Sequence, residues 1–218
     1  MNKTITSVFI LLSALLVLFA LGESIGRIGD LELAAAHPEL FDEESYHLHY
    51  TAFPNLMYAH VVLGMLFLLC GAFQLTPYFR RNFIKAHRLI GKIFLITSLF
   101  VSSSAIIIAM FYPFGNYLES VATLVFGTYI LFSTLKAYTL IRARKIIEHS
   151  YWVRRVFFVS LSIATIRGVM IFAIVFFDHS VKEAMGISFV IGFLIHFLLL
   201  ELWISADRKK RRRETATL

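Results

Sequence analysis

Along this chain the polar residues are bunched and the apolar residues run in long blocks. Six blocks stand out, at 5–22, 55–78, 89–111, 119–141, 156–177 and 185–206. Each is close to the ~20 residues that a helix needs to cross ~30 Å of hydrocarbon. Lipid cannot hydrogen-bond an exposed backbone, so a segment that spans it as one block must be helical. The pattern predicts an all-α polytopic transmembrane bundle of six helices, in which spans two to five form a four-helix core. It divides the chain into a first helix with an acidic loop (1–54), the core (55–178), and a sixth helix with a basic tail (179–218). Pro54, Pro77 and Pro113 fall at block ends, so the helices read as continuous. Neither the inverted repeat nor the broken helix of a transporter is evident.

Composition agrees. Of the 218 residues, 58% are hydrophobic and 16% charged, against roughly 45–50% and 25% for a soluble domain. The net charge of +7 would suit a nucleic-acid binder, but position decides against that partner. Lys3 precedes span one, and Arg80, Arg81, Lys85, Arg88 and Lys92 fall between spans two and three. Arg142, Arg144, Lys145, Arg154 and Arg155 fall between spans four and five, and six more basic residues occupy 208–213. These make 17 of the 21 Lys and Arg, all on one side, while the opposite loops hold Arg27 and Lys182 with ten acids. Basic loops favour the cytoplasm, which predicts a multi-pass protein of the cell membrane, a bacterial inner membrane, with both termini inside. The tail beside anionic lipid would gain about 1 kcal/mol per basic residue, so membrane lipids are the first expected partner.

Span one needs one check. A basic start, an apolar run and the stretch Phe19-Ala20-Leu21-Gly22, with the small residues Ala20 and Gly22, share features with a cleaved leader. The length of the run and the weak cleavage site favour a retained helix. The acidic loop 23–54 is then the one sizeable segment outside the bilayer. Cys70 lies in an apolar run and reads as a small buried side chain.

Polar side chains inside the blocks carry the candidate chemistry, because polar groups at membrane depth are costly and turn inward. In span two, His60, Gly64, Phe67, Gly71 and Gln74 share one helical stripe. Its glycines would admit a neighbouring helix, with His60 near the outer end and Gln74 near the inner. His87 and His149 open spans three and five at matching depth, and two such imidazoles suit a metal or the iron of a b-type haem. The bland alternative places them at headgroup level. Arg167 lies deep in span five, on the face of His149 and in the half that holds His60. A fixed cation there suits a haem propionate, a quinone oxygen, a lipid phosphate or another small anion. Lys136 and Glu201 read as a buried pair, or Lys136 snorkels. His196 reads as a satisfied core histidine. In the acidic loop, His47 and His49, with His37, Asp42, Glu43 and Glu44, are candidate zinc or copper ligands. If extended, the His47-x-His49 pair points one way. No nucleophile elbow, zinc motif or glycine-rich phosphate loop occurs.

The ordered set His60-x-x-x-Gly64, Gly71-x-x-Gln74, Arg80, His87-Arg88-x-x-Gly91, His149-x-x-Trp152-x-x-Arg155 and Thr165-Ile166-Arg167 resembles an uncharacterised bacterial family of predicted membrane proteins. That family is a domain of unknown function built on about four helices, and the match spans about 54–176. The resemblance implies no activity. The paired histidines are also similar to cytochrome b561-type and ferric-reductase-type haem proteins, which place His pairs at both depths; here spans one and four contain none. Two functional readings follow. One is a redox module, with His87 and His149 on a haem and His60, Gln74 and Arg167 around a quinone, a propionate or a proton path. The other is a non-redox binding or transport protein using Arg167 and His60 for an anion or protons.

Overall fold

The computed structural model describes residues 3–42 and 45–216. The described residues form nine α-helices, a 3-10 turn at Pro38–Leu40 and no strand: α1 (Lys3–Ala36), α2 (Tyr46–Tyr50), α3 (Pro54–Leu75), α4 (Pro77–Asn82), α5 (Ile84–Phe111), α6 (Tyr117–Arg142), α7 (Ile146–Ser160), α8 (Ser162–Phe177) and α9 (Val181–Ala216). Six stretches are long and apolar enough to cross a membrane: Leu11–Ala36, Pro54–Leu75, Ile84–Phe111, Tyr117–Arg142, Ile146–Phe177 and Val181–Thr215. The polytopic all-α bundle is therefore the fold. Because orientation follows from loop charge alone, its two ends are called the acidic and the basic side below.

Local chemistry sets the boundaries. Pro54 and Pro77 stand in the first turns of α3 and α4, where a missing N–H costs nothing. Asn116 caps α6 by accepting from the Leu118 N–H at 3.0 Å. Ser180 and Glu183 close a reciprocal capping box on α9. Asp178 ends α8 in the left-handed region at φ 55°, and Arg144 takes φ 60° in the short α6–α7 turn.

Two features depart from the pattern of blocks. First, α1 runs to Ala36, so the acidic loop begins about four turns later than expected. Val17, Ala20, Arg27, Leu31 and Ala34 are buried, at alternating three- and four-residue steps once Ser24 is counted, and this stripe keeps the helix on the bundle. Second, the fifth span breaks at Leu161, between Ser160 and Ser162. The Leu161 N–H still donates to the Phe157 carbonyl at 2.9 Å, and the Ala164 N–H then donates across a shorter loop to Leu161 O at 3.2 Å. From α9, His196 bridges the break: its Nδ1–H donates to Phe158 O and its Nε2 accepts from the Thr165 hydroxyl, both at 2.8 Å. The expectation of a satisfied core histidine holds, but that of continuous helices does not.

The break changes which neighbours span five has. Below it, α7 packs on α6 and α9. Above it, α8 packs on α9 and α1, and α1 in turn on α3. The basic half is consequently solid, with Phe94, Tyr151, Val156, Phe157, Leu161 and Ile204 almost fully buried. In the acidic half α8 has moved away from α6, and a chamber opens.

Candidate functional site: a polar chamber in the acidic half

The chamber has a volume of about 270 Å³ and is lined by α1, α2, α3, α5, α6, the end of α7, α8 and α9. On α3 its wall runs from Met57 to Leu68, a rise of about 16 Å at 1.5 Å per residue. Its deeper wall mixes apolar side chains, Phe67, Leu68, Val101, Ile130, Ile163 and Phe193, with the serines Ser98, Ser102, Ser160 and Ser162. Toward the acidic side it gathers charge: Arg27 from α1, Arg167 from α8, Glu119 from α6 and Asp30 at the rim.

Arg27 is 9% exposed, and its guanidinium lies 4.3 Å from the Tyr46 ring centroid and 5.5 Å from that of Tyr50. These cation–π contacts hold the side chain flat under α2. Its buried Nη1 has no hydrogen-bond partner among the described residues. Arg167 also lines the chamber and makes no hydrogen bond or ion pair among them; it feels Arg27 as a like charge and Glu119 as an opposite one. Glu119 accepts from the Gly115 N–H at 2.6 Å, which anchors its carboxylate. Two further buried oxygens on the wall, Thr123 Oγ1 and Ser162 Oγ, are also without partners. Buried polar atoms are nearly always paired, so three unpaired ones among the chamber's lining residues, Arg27 Nη1, Thr123 Oγ1 and Ser162 Oγ, single this space out as the candidate site.

The acidic-side roof is α2, which contributes Tyr46 and Tyr50. His47 Nδ1 lies 3.4 Å from Asp30 Oδ2, too poorly aligned for a hydrogen bond, so this is an ion pair only when His47 is charged. Burial pushes the His47 imidazole below its ordinary value; Asp30 opposes this, while Arg27 and Arg167 add to it. Burial, with Glu119 nearby, raises the Tyr50 phenol to about 12, so it stays protonated.

The residues singled out in the sequence fall into separate groups. His60 and Arg167 do line one space, His60 being joined to Ser104 Oγ at 2.7 Å. Gln74 does not join them: its amide N–H donates to His87 O at 2.8 Å, and its side chain occupies the place a Cβ on Gly91 would need. Gly71 is pressed by Phe157 and Phe94, as a packing glycine should be, whereas Gly64 faces open space in the chamber. The Lys136–Glu201 pairing is replaced. Glu201 takes Arg155 bidentately at 2.7 and 2.8 Å and Tyr129 at 3.1 Å, while Lys136 is exposed beside the Phe132 ring. On the basic side, His149 Nδ1–H donates to Ala137 O at 2.8 Å, which leaves Nε2 free of a proton in the neutral ring. Half-buried His87 feels His149, Arg80 and Arg88 as neighbouring charges, and its Nδ1 is buried without a partner. In the loop, residues 46–50 are helical rather than extended, so His47 and His49 point about 200° apart. His47 turns to Asp30 and His49 to the Tyr112 carbonyl, while His37 pairs with Glu39. Glu43 and Glu44 lie outside the described residues, among which no cluster of three metal-ligating acids, histidines or cysteines occurs.

Arg27, Glu119, Thr123 and Ser162 join the site through the structure. Hydropathy ends span one at residue 22 and puts Arg27 in the loop, whereas α1 continues to Ala36. The signal was present: with Val17, Ala20, Leu31 and Ala34 it keeps the core-facing period of α1.

Fold and chamber together define a polytopic membrane protein with an internal, partly charged cavity. The chain belongs to the family described as Predicted membrane protein (DUF2306), whose model matches residues 57–204. No curated protein and no solved structure matches it.

Proposed function

We propose that this protein is a membrane-embedded binding protein whose chamber takes a small molecule bearing an anionic group, held by Arg27 and Arg167. One observation carries the reading: Arg27 and Arg167 line the same space inside an apolar bundle, Arg27 Nη1 is buried without a hydrogen-bond partner, and Arg167 makes no hydrogen bond or ion pair among the described residues. A cation at membrane depth costs at least ~2.5–3.5 kcal/mol when isolated, so an arrangement of two invites a counter-charge. Glu119 supplies part of that counter-charge. The loop charges orient the chamber toward the outside of the cell membrane, with both termini in the cytoplasm.

The test is thermal unfolding of the detergent-purified protein against a panel of amphiphilic anions. The wild type should be stabilised in a concentration-dependent way, and Arg167→Gln should lose the effect while keeping its fold. If no anion shifts the wild type, the reading fails. Reporter fusions at each terminus check the orientation.

A second reading is favoured by one feature on the basic side. His149 is fixed by its Nδ1–H, which presents the bare Nε2 in the tautomer a metal ligand needs, and His87 lies near it. These two residues would hold a metal ion or the iron of a b-type haem at the basic-side end of the bundle, and the group would supply one-electron transfer. A Soret band lost on His87→Ala supports this reading; a colourless, folded preparation from haem-supplemented cells removes it.

A further inference from the structure

The elbow between spans two and three carries charge that the rest of the protein does not answer, and it stands apart from the chamber. We propose that this elbow, α4 with the first turns of α5, is a docking surface for anionic phospholipid on the basic side of the membrane.

Charge comes first. From Ser45 to Leu118 the chain has no Asp or Glu, yet Arg80, Arg81, Lys85, Arg88 and Lys92 fall within residues 80–92. All five are exposed, and none makes a side-chain hydrogen bond or ion pair among the described residues. The acids of the basic side lie on other elements and are already engaged. Glu148 takes Arg208 at 3.0 Å, Asp207 takes Arg211 at 2.8 Å and Glu214 takes Lys210 at 3.7 Å. The residues that feel the charge of Arg80 include His87 and Arg154, neither of them an acid. Those three ion pairs partly neutralise the basic tail from within; nothing does the same for the elbow.

Geometry places these cations at the membrane surface. Span two ends at Leu75 and span three begins at Ile84, so residues 76–83 sit where both helices leave the hydrocarbon. The backbone leaves helical geometry at Thr76 and again at Phe83, and α4 lies between these two turns. Its six residues rise about 9 Å, which matches the roughly 8–10 Å between the axes of packed helices. It therefore bridges α3 and α5, on which it packs, and runs along the surface instead of extending either span. Aromatic rings line it. The Phe79 ring lies 5.4 Å from Phe73 and 5.8 Å from Phe83, and Tyr78 lies 6.3 Å from Phe83. Tyr78 and Phe83 are 68% and 51% exposed. Exposed rings beside basic side chains suit the headgroup layer, where the rings reach the acyl boundary and the cations meet phosphate. This combination selects the occupant. A soluble acidic segment would answer the cations and leave the rings wet, whereas an anionic lipid satisfies both.

The experiment is lipid titration of the delipidated, full-length protein in neutral detergent, read by native mass spectrometry for the first bound phosphatidylglycerol or phosphatidylcholine. One basic residue beside anionic lipid is worth about fivefold in affinity. The wild type should therefore bind phosphatidylglycerol at least about fivefold more tightly than phosphatidylcholine. Arg81→Gln combined with Lys85→Gln should remove the preference and keep the wild-type melting temperature, because both side chains are exposed. Lys209→Gln combined with Arg212→Gln, the same charge change in the tail, should leave it in place. No preference in the wild type would overturn the proposal. So would a preference that survives in the elbow variant, or one lost only in the tail variant. Soluble polyglutamate is the remaining arm. If it binds through Arg81 and Lys85 while phosphatidylglycerol shows no preference, the surface belongs to an acidic protein segment and the lipid assignment falls.

Discussion

Gly64 and Gly71 stand two turns apart on the same face of α3, yet a methyl group added at each meets different surroundings. At Gly71 it would strike the buried ring of Phe157, which cannot swing away, so Gly71→Ala should cost about 1–3 kcal/mol. At Gly64 it meets nothing within 4 Å, and the gain in helix propensity makes Gly64→Ala neutral or stabilising by up to about 1 kcal/mol. Melting curves in one detergent separate the two. At Arg155, 8% exposed, truncation strands the Glu201 carboxylate. Because Glu201 is 30% exposed and keeps Tyr129, the expected loss for Arg155→Met is about 2 kcal/mol, below that of a fully buried pair. Individual side chains were thus only partly legible. Sequence could say that Arg167 and His60 turn inward, because lipid leaves them no alternative. It could not say that Glu201 prefers Arg155 to Lys136, since that choice depends on the rotation of α7 against α9.

The element that shapes the molecule is span five. Its break was hidden because no proline or glycine marks it; the sequence there is Phe157-Phe158-Val159-Ser160-Leu161-Ser162. The available cue is the serine pair, since short hydroxyl side chains compete for helix carbonyls and accompany bends. What holds the break comes from elsewhere in the chain: His196 bonds one residue before it and one after. Replacing it by leucine removes two hydrogen bonds, worth about 1 kcal/mol each. His196→Leu should therefore lower stability by about 2 kcal/mol and speed amide exchange across residues 158–165, with Thr165→Val showing roughly half the effect. Unchanged exchange in that segment would mean that packing alone sets the break. The end of α1 was missed for a related reason: Glu23, Arg27, Asp30 and Glu32 read as loop in a hydropathy count, although their neighbours keep helical period.

At the scale of the whole molecule, the six-span bundle was written in the chain, because block length is set by the bilayer and not by packing. The hollow was not, since it arises from one span changing neighbours halfway. Its roof should respond to acid. His47 faces Asp30 and Arg27 of α1 and Arg167 of α8, and burial holds its imidazole below the ordinary 6.5. A proton is then bound more readily by the opened loop than by the closed one. The packing of residues 45–53 is fully stable above that value and weakens as pH falls below it. Protection factors for the α2 amides, corrected for intrinsic exchange, should drop between about pH 7 and pH 5. His47→Gln should flatten the trend. The solid basic half has a consequence for traffic. Phe94, Tyr151, Phe157 and Leu161 are packed beneath the hollow. On the binding reading proposed above, a guest that arrives from the acidic side departs by the same door.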